Sequence, residues 1–357
     1  MEQFALKPSL YFGPDALGVL EQLSGRKVLV VTDAFLAQSG LLERVIKRLQ
    51  GCEVGVFDQV VPDPPLSLIA QGVAQFRAFR PQVLLAFGGG SPMDCAKGIR
   101  YFAQGEGCAL WCVPTTAGTG SEVTSFAVLT DSASGVKYPL VDERLLPDAA
   151  VLESALLDGV PAAVTADTGM DVITHAAEAA VARRASSFSN ALASAAFTMA
   201  VHSLSQARRV PGEPRERMLH ASCMAGIAFN CAGLGICHGL AHALGGRFHV
   251  PHGRLNALLL PHVIRFNAQD SGAAARYAEL ARHCGLSGSA RALAAAIQRL
   301  RDALEMPSTL SACGVKREQV TADLPQITAA ALADICTAAN PILPSQVQLE
   351  ELVRAVL

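Results

Sequence analysis

The chain has 357 residues, 51% of them hydrophobic and only 17% charged, with a formal net charge of -2. That length is generous for one core, so two domains are expected. The near-neutral balance and the absence of any basic run exclude a nucleic-acid or anionic-membrane surface and favour a small neutral partner. No apolar run reaches the roughly 18 residues of a membrane span, and the start lacks the basic-then-apolar order of a secretory signal, so a cytoplasmic protein is expected. Ten scattered cysteines without a Cys-x-x-Cys pair read as small buried hydrophobes in a reducing compartment. Cys95 and Cys237 stand out only because they lie beside candidate sites and could make the protein sensitive to oxidation.

From Lys27 onward, short β-branched runs alternate with helical stretches. Lys27 to Asp33 reads as a buried strand, Phe35 to Leu49 as an amphipathic helix, and Cys52 to Asp58 as a second strand. The Pro62-Asp63-Pro64-Pro65 turn precedes a helix running to about Arg80. Gln82 to Phe87 is the third strand, a helix carries Cys95 to Phe102, and Ala109 to Pro114 is the fourth strand. This alternation predicts βαβ units and a Rossmann-like parallel sheet covered on both faces. After about Leu156 the strands stop and the chain becomes alanine-rich, with helical periods such as Asn190 to Arg208 and Glu216 to Asn230. The expectation is an α/β domain over residues 1–155 and an all-α domain over 156–357, with the active site in the cleft between them.

Two loops of the first half suit phosphate. In Gly88-Gly89-Gly90-Ser91-Pro92-Met93-Asp94 a strand ends and a helix opens, so backbone N–H groups and the positive helix end could meet a pyrophosphate. The ordinary reading is a plain strand-to-helix turn, since the spacing is neither Gly-x-Gly-x-x-Gly nor a P-loop. Pro114-Thr115-Thr116-Ala117-Gly118-Thr119-Gly120-Ser121-Glu122 carries dense hydroxyls at the end of the next strand, where it could bond phosphate, ribose or an amide, or simply turn the chain. Open α/β sheets bind ligands at this carboxyl edge. Asp33 ends the first strand at the same edge, where it could accept from both ribose hydroxyls and repel a 2′-phosphate, favouring NAD over NADP, or cap the next helix.

The second half concentrates histidine. Asp171 and His175 are one helical turn apart, as are His238 and His242, and five of the nine histidines lie between His238 and His262. Neutral imidazoles with one carboxylate suit a divalent transition ion. A single histidine at helical spacing is more often a hydrogen-bonded residue; two such pairs plus His252 in a Pro-His-Gly turn argue for an Asp and three-His shell. Spacing leaves open whether His238, His242 or both are ligands. No His-Glu-x-x-His is present, which removes the zinc-protease reading.

In combination and order, these segments resemble the iron-containing, group III alcohol dehydrogenase family. The likeness runs from Tyr11-Phe12-Gly13-Pro14 through both loops, Thr168 to His175, His238 to His242 and Pro251-His252-Gly253 to the late Cys336 to Asn340-Pro341. Within the family the chain resembles the 1-propanol and ethanol dehydrogenases of propanediol and ethanolamine utilisation. The resemblance implies hydride transfer between short primary alcohols or aldehydes and NAD(H), with Fe²⁺ or Zn²⁺ as metal. It assigns Asp171, His175, His238 and His252 as ligands, with Asp171 and His252 serving the chemistry, and His242 as a neighbour that does not ligate; the position of His242 one turn from His238 makes it the candidate to carry the alcohol's proton toward solvent. It assigns Asp33, Gly89, Gly90, Ser91, Asp94, Thr115, Thr116, Thr119, Ser121 and Lys137 to the cofactor, and Phe229 and Leu234 to the substrate pocket. A homodimer is implied, as is a possible place among the enzymes or shell of a bacterial microcompartment. The chain is somewhat shorter than typical members, mainly in its second half. A polyol dehydrogenase of the propanediol or glycerol type is the alternative. A dehydroquinate-synthase-like lyase would need converging Lys and Arg, which the stretch from Phe229 to Leu244 lacks. A metal-stabilised assembly subunit would leave both loops and Asp33 without purpose.

Overall fold

The protein is described by a computed structural model covering residues 4, 6–131 and 136–357, with Val136 and Lys137 described in backbone only. The chain divides into two compact units, Met1–Gly159 and Val160–Leu357. In chain order, the first contains β1 (Ser9–Phe12), β2 (Lys27–Asp33), α1 (Ala34–Gln38), α2 (Leu41–Ile46), β3 (Glu53–Val60), α3 (Leu66–Phe79), β4 (Val83–Gly88), α4 (Gly90–Ala103), β5 (Ala109–Pro114), β6 (Phe126–Asp131), β7 (Val136–Val141) and β8 (Ala149–Leu152).

A six-stranded sheet in the order β1-β8-β5-β4-β2-β3 is parallel throughout, and β6 and β7 form a separate antiparallel pair. Every residue of β4 is buried, as expected where helices cover both faces. From β2 the chain first adds β3 on one side and then β4 on the other. That reversal puts the carboxyl ends of β2 and β4 side by side, the place where open α/β sheets form a crevice. Asp33 ends β2, the glycine loop follows β4, and the threonine loop follows the neighbouring β5.

The expected single helix from Phe35 to Leu49 is corrected to two short ones. Ser39 Oγ donates to the Leu36 carbonyl at 3.0 Å, and Gly40 takes the left-handed conformation with φ 82°, which stops α1 before α2 begins. The terminal strands β1 and β8 and the β6–β7 pair were not expected from local pattern. Four-residue β1 acquires its strand identity from pairing with β8, about 140 residues later in the chain as in Ser9↔Ala149.

The second unit is helical: α5 (Ala162–Val181), α6 (Ser187–Ala207), α7 (Glu213–Ala232), α8 (Ile236–Phe248), α9 (His252–Asn267), α10 (Ser271–His283), α11 (Ala290–Ala303), α12 (Arg317–Ala333), α13 (Ile335–Ala338) and α14 (Gln346–Arg354). A reciprocal cap between Ser186 and Ser189 starts α6 earlier than the apolar period suggests, and a proline in the first turn does the same for α7. Helix α5 is buried on all sides from Gly169 to Val181, so its polar residues need partners inside the unit. Among the described residues no single helix is long and apolar enough to cross a membrane; α7 and α8 pass only together and are bent by 105°. Gly233, at φ 91°, ends α7 and makes that bend possible.

Candidate metal centre and cofactor loops

In the first unit, the glycine and threonine loops press against each other. A Cβ at Gly89 would lie 3.1 Å from Thr116 Oγ1, and one at Gly90 would lie 2.9 Å from Thr119 Cγ2. Gly88, at φ 151°, would drive a side chain into Pro92. These glycines therefore keep the opening of α4 clear beside the hydroxyls, with Thr115 N bonded to the Gly88 carbonyl at 3.0 Å. Gly89, Gly90, Ser91, Thr115, Thr116 and Thr119 are thus gathered at the start of the 14-residue α4, whose first N–H groups attract an anion.

Asp94 and Ser121 are more deeply committed to the loop's own shape. Asp94 accepts from Ser121 Oγ at 2.9 Å and from Val128 N at 3.0 Å. Lys97, with no exposed surface, donates to Ser121 Oγ, Thr124 Oγ1 and the Phe126 carbonyl at 2.8, 3.2 and 2.8 Å. This buried network ties α4 to the threonine loop and β6. Asp33, at the end of β2, accepts from Leu36 N at 2.8 Å and so caps α1. Lys137 lies in β7, and its side chain is outside the described residues.

Glu122, in the turn after the threonine loop, is 1% exposed. Burial pushes its carboxyl up from 4.5 to about 7, against smaller opposing contributions from its own backbone N–H and Lys97. The unfolded chain loses this proton before the folded one does. Stability from Glu122 is therefore highest below about pH 4.5 and falls until about pH 7, by roughly 3 kcal/mol at 1.36 kcal/mol per unit. Glu122→Gln is expected to unfold at the same urea midpoint as the parent near pH 4 and at a higher one at pH 8. Equal midpoints at pH 8 would contradict a buried acidic form.

In the second unit, α5, α8 and α9 bring the candidate ligands together. The donor atoms of Asp171, His238 and His252 all lie within 4.8 Å of one another. From Asp171 Oδ1, the Nε2 atoms of His252, His238 and His175 are 3.5, 3.6 and 3.9 Å away. His175 stacks against His238 on one side and Phe229 on the other, with ring centroids 4.6 Å apart in both cases. His242 stacks on His252 at 5.1 Å but turns its Nδ1 to Asp334 Oδ2, 2.9 Å away. Phe229 and Leu234 are both buried, at the end of α7 and in the break before α8.

Charge and burial shape the donors. Burial opposes ionisation of Asp171, but the surrounding histidines outweigh it and hold the carboxyl well below its ordinary value. Burial also opposes charge on His238, yet Glu178 and Asp171 together push it up to about 9. His252 is the most open of the three converging donors, with its side chain 37% exposed and its Nε2 toward Asp171. The set of one carboxylate and converging imidazoles fits a divalent transition ion, with intermediate-softness Fe²⁺ and Zn²⁺ both suited.

Several residues outside the candidate site set hold this arrangement. Glu178 sits on α5 three residues after His175, on the face shared with Asp171. Its Oε2 lies 2.5 Å from His238 Nδ1 and its Oε1 accepts from Cys237 N at 2.7 Å, fixing the ring tautomer with Nε2 toward Asp171 and capping α8. Asn256, one turn after His252, donates to Asp171 Oδ1 at 2.7 Å. Asn340 accepts from Ile236 N at 3.2 Å and is paired with Asn267. Close helix approach needs Gly235, Gly239 and Gly253; a Cβ at Gly253 would lie 1.9 Å from the Asp167 carbonyl oxygen. Arg254 clamps Asp167 at 3.1 and 2.9 Å across the same junction. One turn's spacing from a ligand could have flagged Glu178 and Asn256; nothing local marks Asp334. Cys95 and Cys237 are fully buried, and burial raises both thiols far from reactive thiolates, so neither reads as an oxidation-sensitive group.

Comparison with known proteins matches residues 8–154 to the family described as iron-containing alcohol dehydrogenase, and residues 165–357 to the C-terminal part of the Fe-containing alcohol dehydrogenase family. The chain is 43% identical to the 1-propanol dehydrogenase PduQ of Salmonella typhimurium, covering 100% of both. It is 36% identical to an NADPH-dependent butanol dehydrogenase of Clostridium saccharobutylicum, covering 96% of this chain and 94% of that one. A solved 1,3-propanediol oxidoreductase superposes with a TM-score of 0.94 at 36% identity, covering 100% of both chains.

Proposed function

The chain belongs to the iron-containing alcohol dehydrogenase family, and from that premise we propose that it is an NAD(H)- and Fe²⁺-dependent enzyme interconverting short primary alcohols, 1-propanol or ethanol, with their aldehydes. It is an alcohol dehydrogenase by family, and small alcohols and aldehydes are the substrate class. The observation that carries the finer reading is the convergence of Asp171, His238 and His252, with His175 stacked beside them. By the same likeness we propose a homodimer that works in the cytoplasm or a bacterial microcompartment.

When bound, the metal supplies Lewis acidity to an alcohol oxygen and the nicotinamide accepts hydride. The chain's residues do the rest. Asp171 contributes the negative charge that favours a cation among the imidazoles. Glu178 holds His238 so that its Nε2 faces Asp171. Asp334 holds His242 through Nδ1, leaving Nε2 free to take the alcohol's proton. The glycine and threonine loops are assigned to the cofactor's pyrophosphate and nicotinamide amide. Phe229, flat against His175, is assigned to wall the alcohol's carbon chain.

The test is anaerobic NADH oxidation with acetaldehyde, propionaldehyde and butyraldehyde, using protein stripped of metal and reloaded with Fe²⁺ or Zn²⁺. Turnover that appears only on reloading supports the proposal and ranks the substrates. Turnover independent of metal refutes it. A diol-oxidising variant of the same chemistry is favoured by the likeness to the 1,3-propanediol oxidoreductase, and preference for 1,3-propanediol over 1-propanol would select it.

Cofactor choice can be read at Asp33 alone. Asp33→Ser keeps a side-chain oxygen for the cap and removes the charge that repels a 2′-phosphate. The ratio of kcat/KM with NADPH to that with NADH is expected to rise by about 10- to 100-fold, or roughly 1.4 to 2.8 kcal/mol. An unchanged ratio would mean that Asp33 serves only as the cap of α1, and the NADPH preference of the butanol-oxidising relative would then be open to this chain.

A further inference from the structure

We infer that His242, Asp334 and Cys336 form a second metal site, separate from the Asp171 centre and suited to a thiophilic divalent ion such as Zn²⁺. Their donor atoms all lie within 4.8 Å of one another. His242 comes from α8, Asp334 caps α13, and Cys336 stands in the first turn of α13. Asp334 is the hub: its Oδ2 is 2.9 Å from His242 Nδ1 and its Oδ1 accepts from Cys336 N at 2.8 Å. The side chains of His242 and Asp334 are 27% and 11% exposed, so an ion reaches the cluster from solvent while the fold holds its donors.

The donor chemistry distinguishes the two sites. The Asp171 centre offers oxygen and nitrogen only. The second cluster adds sulfur: burial, and then Asp334, hold the Cys336 thiol well above its ordinary value, so it ionises only as an ion displaces its proton, and the resulting thiolate selects Zn²⁺, Cd²⁺ or Co²⁺ over Mg²⁺ or Ca²⁺. Binding balances simply. The ion takes the lone pairs of Cys336 Sγ, His242 Nδ1 and an Asp334 oxygen, water fills the remaining position, the thiol proton passes to solvent, and the imidazole proton moves from Nδ1 to Nε2. Asp334 and the Cys336 thiolate together neutralise the ion's two charges, which limits repulsion with a cation at the neighbouring centre.

That proton shift gives the site a consequence, which rests on the dehydrogenase reading. His242 with hydrogen on Nε2 has no lone pair left for the alcohol's proton, so an ion in this cluster switches turnover off without displacing the metal that supports it. In protein whose Asp171 centre is already loaded, further Zn²⁺ is expected to inhibit.

Co²⁺ titration of the full-length stripped protein tests the site without reference to turnover. Two equivalents are expected to bind, and a near-ultraviolet thiolate-to-cobalt band is expected to grow with one of them. Cys336→Ser should lose that band and keep the visible bands of the other ion. His252→Ala should do the reverse. A band that survives in Cys336→Ser, or none at saturating Co²⁺, overturns the proposal. In the second measurement, excess Zn²⁺ should inhibit the parent at least tenfold more than Cys336→Ser; equal inhibition overturns the regulatory role. If neither protein turns over any alcohol, the functional reading fails while the cobalt result still decides the site.

Discussion

His252→Ala is expected to lower kcat/KM for aldehyde reduction by about a thousandfold or more, equivalent to roughly 4 kcal/mol of transition-state stabilisation. His252 opens α9, where its Nε2 lies 3.5 Å from Asp171 Oδ1. Its removal takes away one of the converging imidazoles and leaves His242 without the ring it stacks on. Metal per chain, measured on protein purified anaerobically and dialysed against a weak chelator, should fall with activity. The glycine and threonine loops proposed for the cofactor lie in the first unit, so NADH binding measured by fluorescence should persist. A variant that keeps its metal and its turnover would dissolve the assignment of the site.

The second large effect is expected from a single methyl group. Gly253→Ala would place a Cβ 1.9 Å from the oxygen and 2.6 Å from the carbon of the Asp167 carbonyl, backbone atoms of α5 that have no rotamer to yield. Either α9 moves off α5 or the first turn of α9 unwinds, and both carry His252 away from Asp171. The cost is expected at the upper end of overpacking penalties, about 3 kcal/mol or more, read as a lower urea midpoint. Metal affinity should fall too, by about tenfold or more, as when residues that orient ligands are lost. Gly246→Ala is the control, because its added Cβ meets nothing within 4 Å on helix α8. It should be neutral or slightly stabilising. If Gly253→Ala behaved like the control, the α5–α9 contact would not set the metal geometry.

What was legible in the sequence follows the range of the interactions. The strands β2, β4 and β5 have continuous apolar runs that reveal burial by themselves, and the loops after them could be read because glycine and threonine declare their use locally. Asp171 and His175, and likewise His238 and His242, are paired by one helical turn, so their pairing was visible too. The break between α1 and α2 was also written locally, in Ser39-Gly40, but the apolar spacing running past it outweighed those two residues. The pairing of β1 with β8 was hidden because neither strand has enough residues to be marked without the other. His242 and Asp334 are 92 positions apart, and no period links them. Glu178 was hidden by its company: among the alanines of α5 it reads as one more helix-favouring residue until its buried contact with His238 is known.

The contacts of Asn340 and Thr337 carry one more consequence. The N-terminus of α8 is bonded to Asn340, 104 positions further along the chain, and Gly239 packs against the hydroxyl of Thr337. A ribosome adding roughly 5 to 20 residues per second therefore exposes His238 several seconds before it has made the residues that seat it. During that interval the nascent helix has its histidines but not its finished geometry, and a cell that supplies metal to the newborn chain must either wait or rely on an ion that exchanges freely until synthesis catches up.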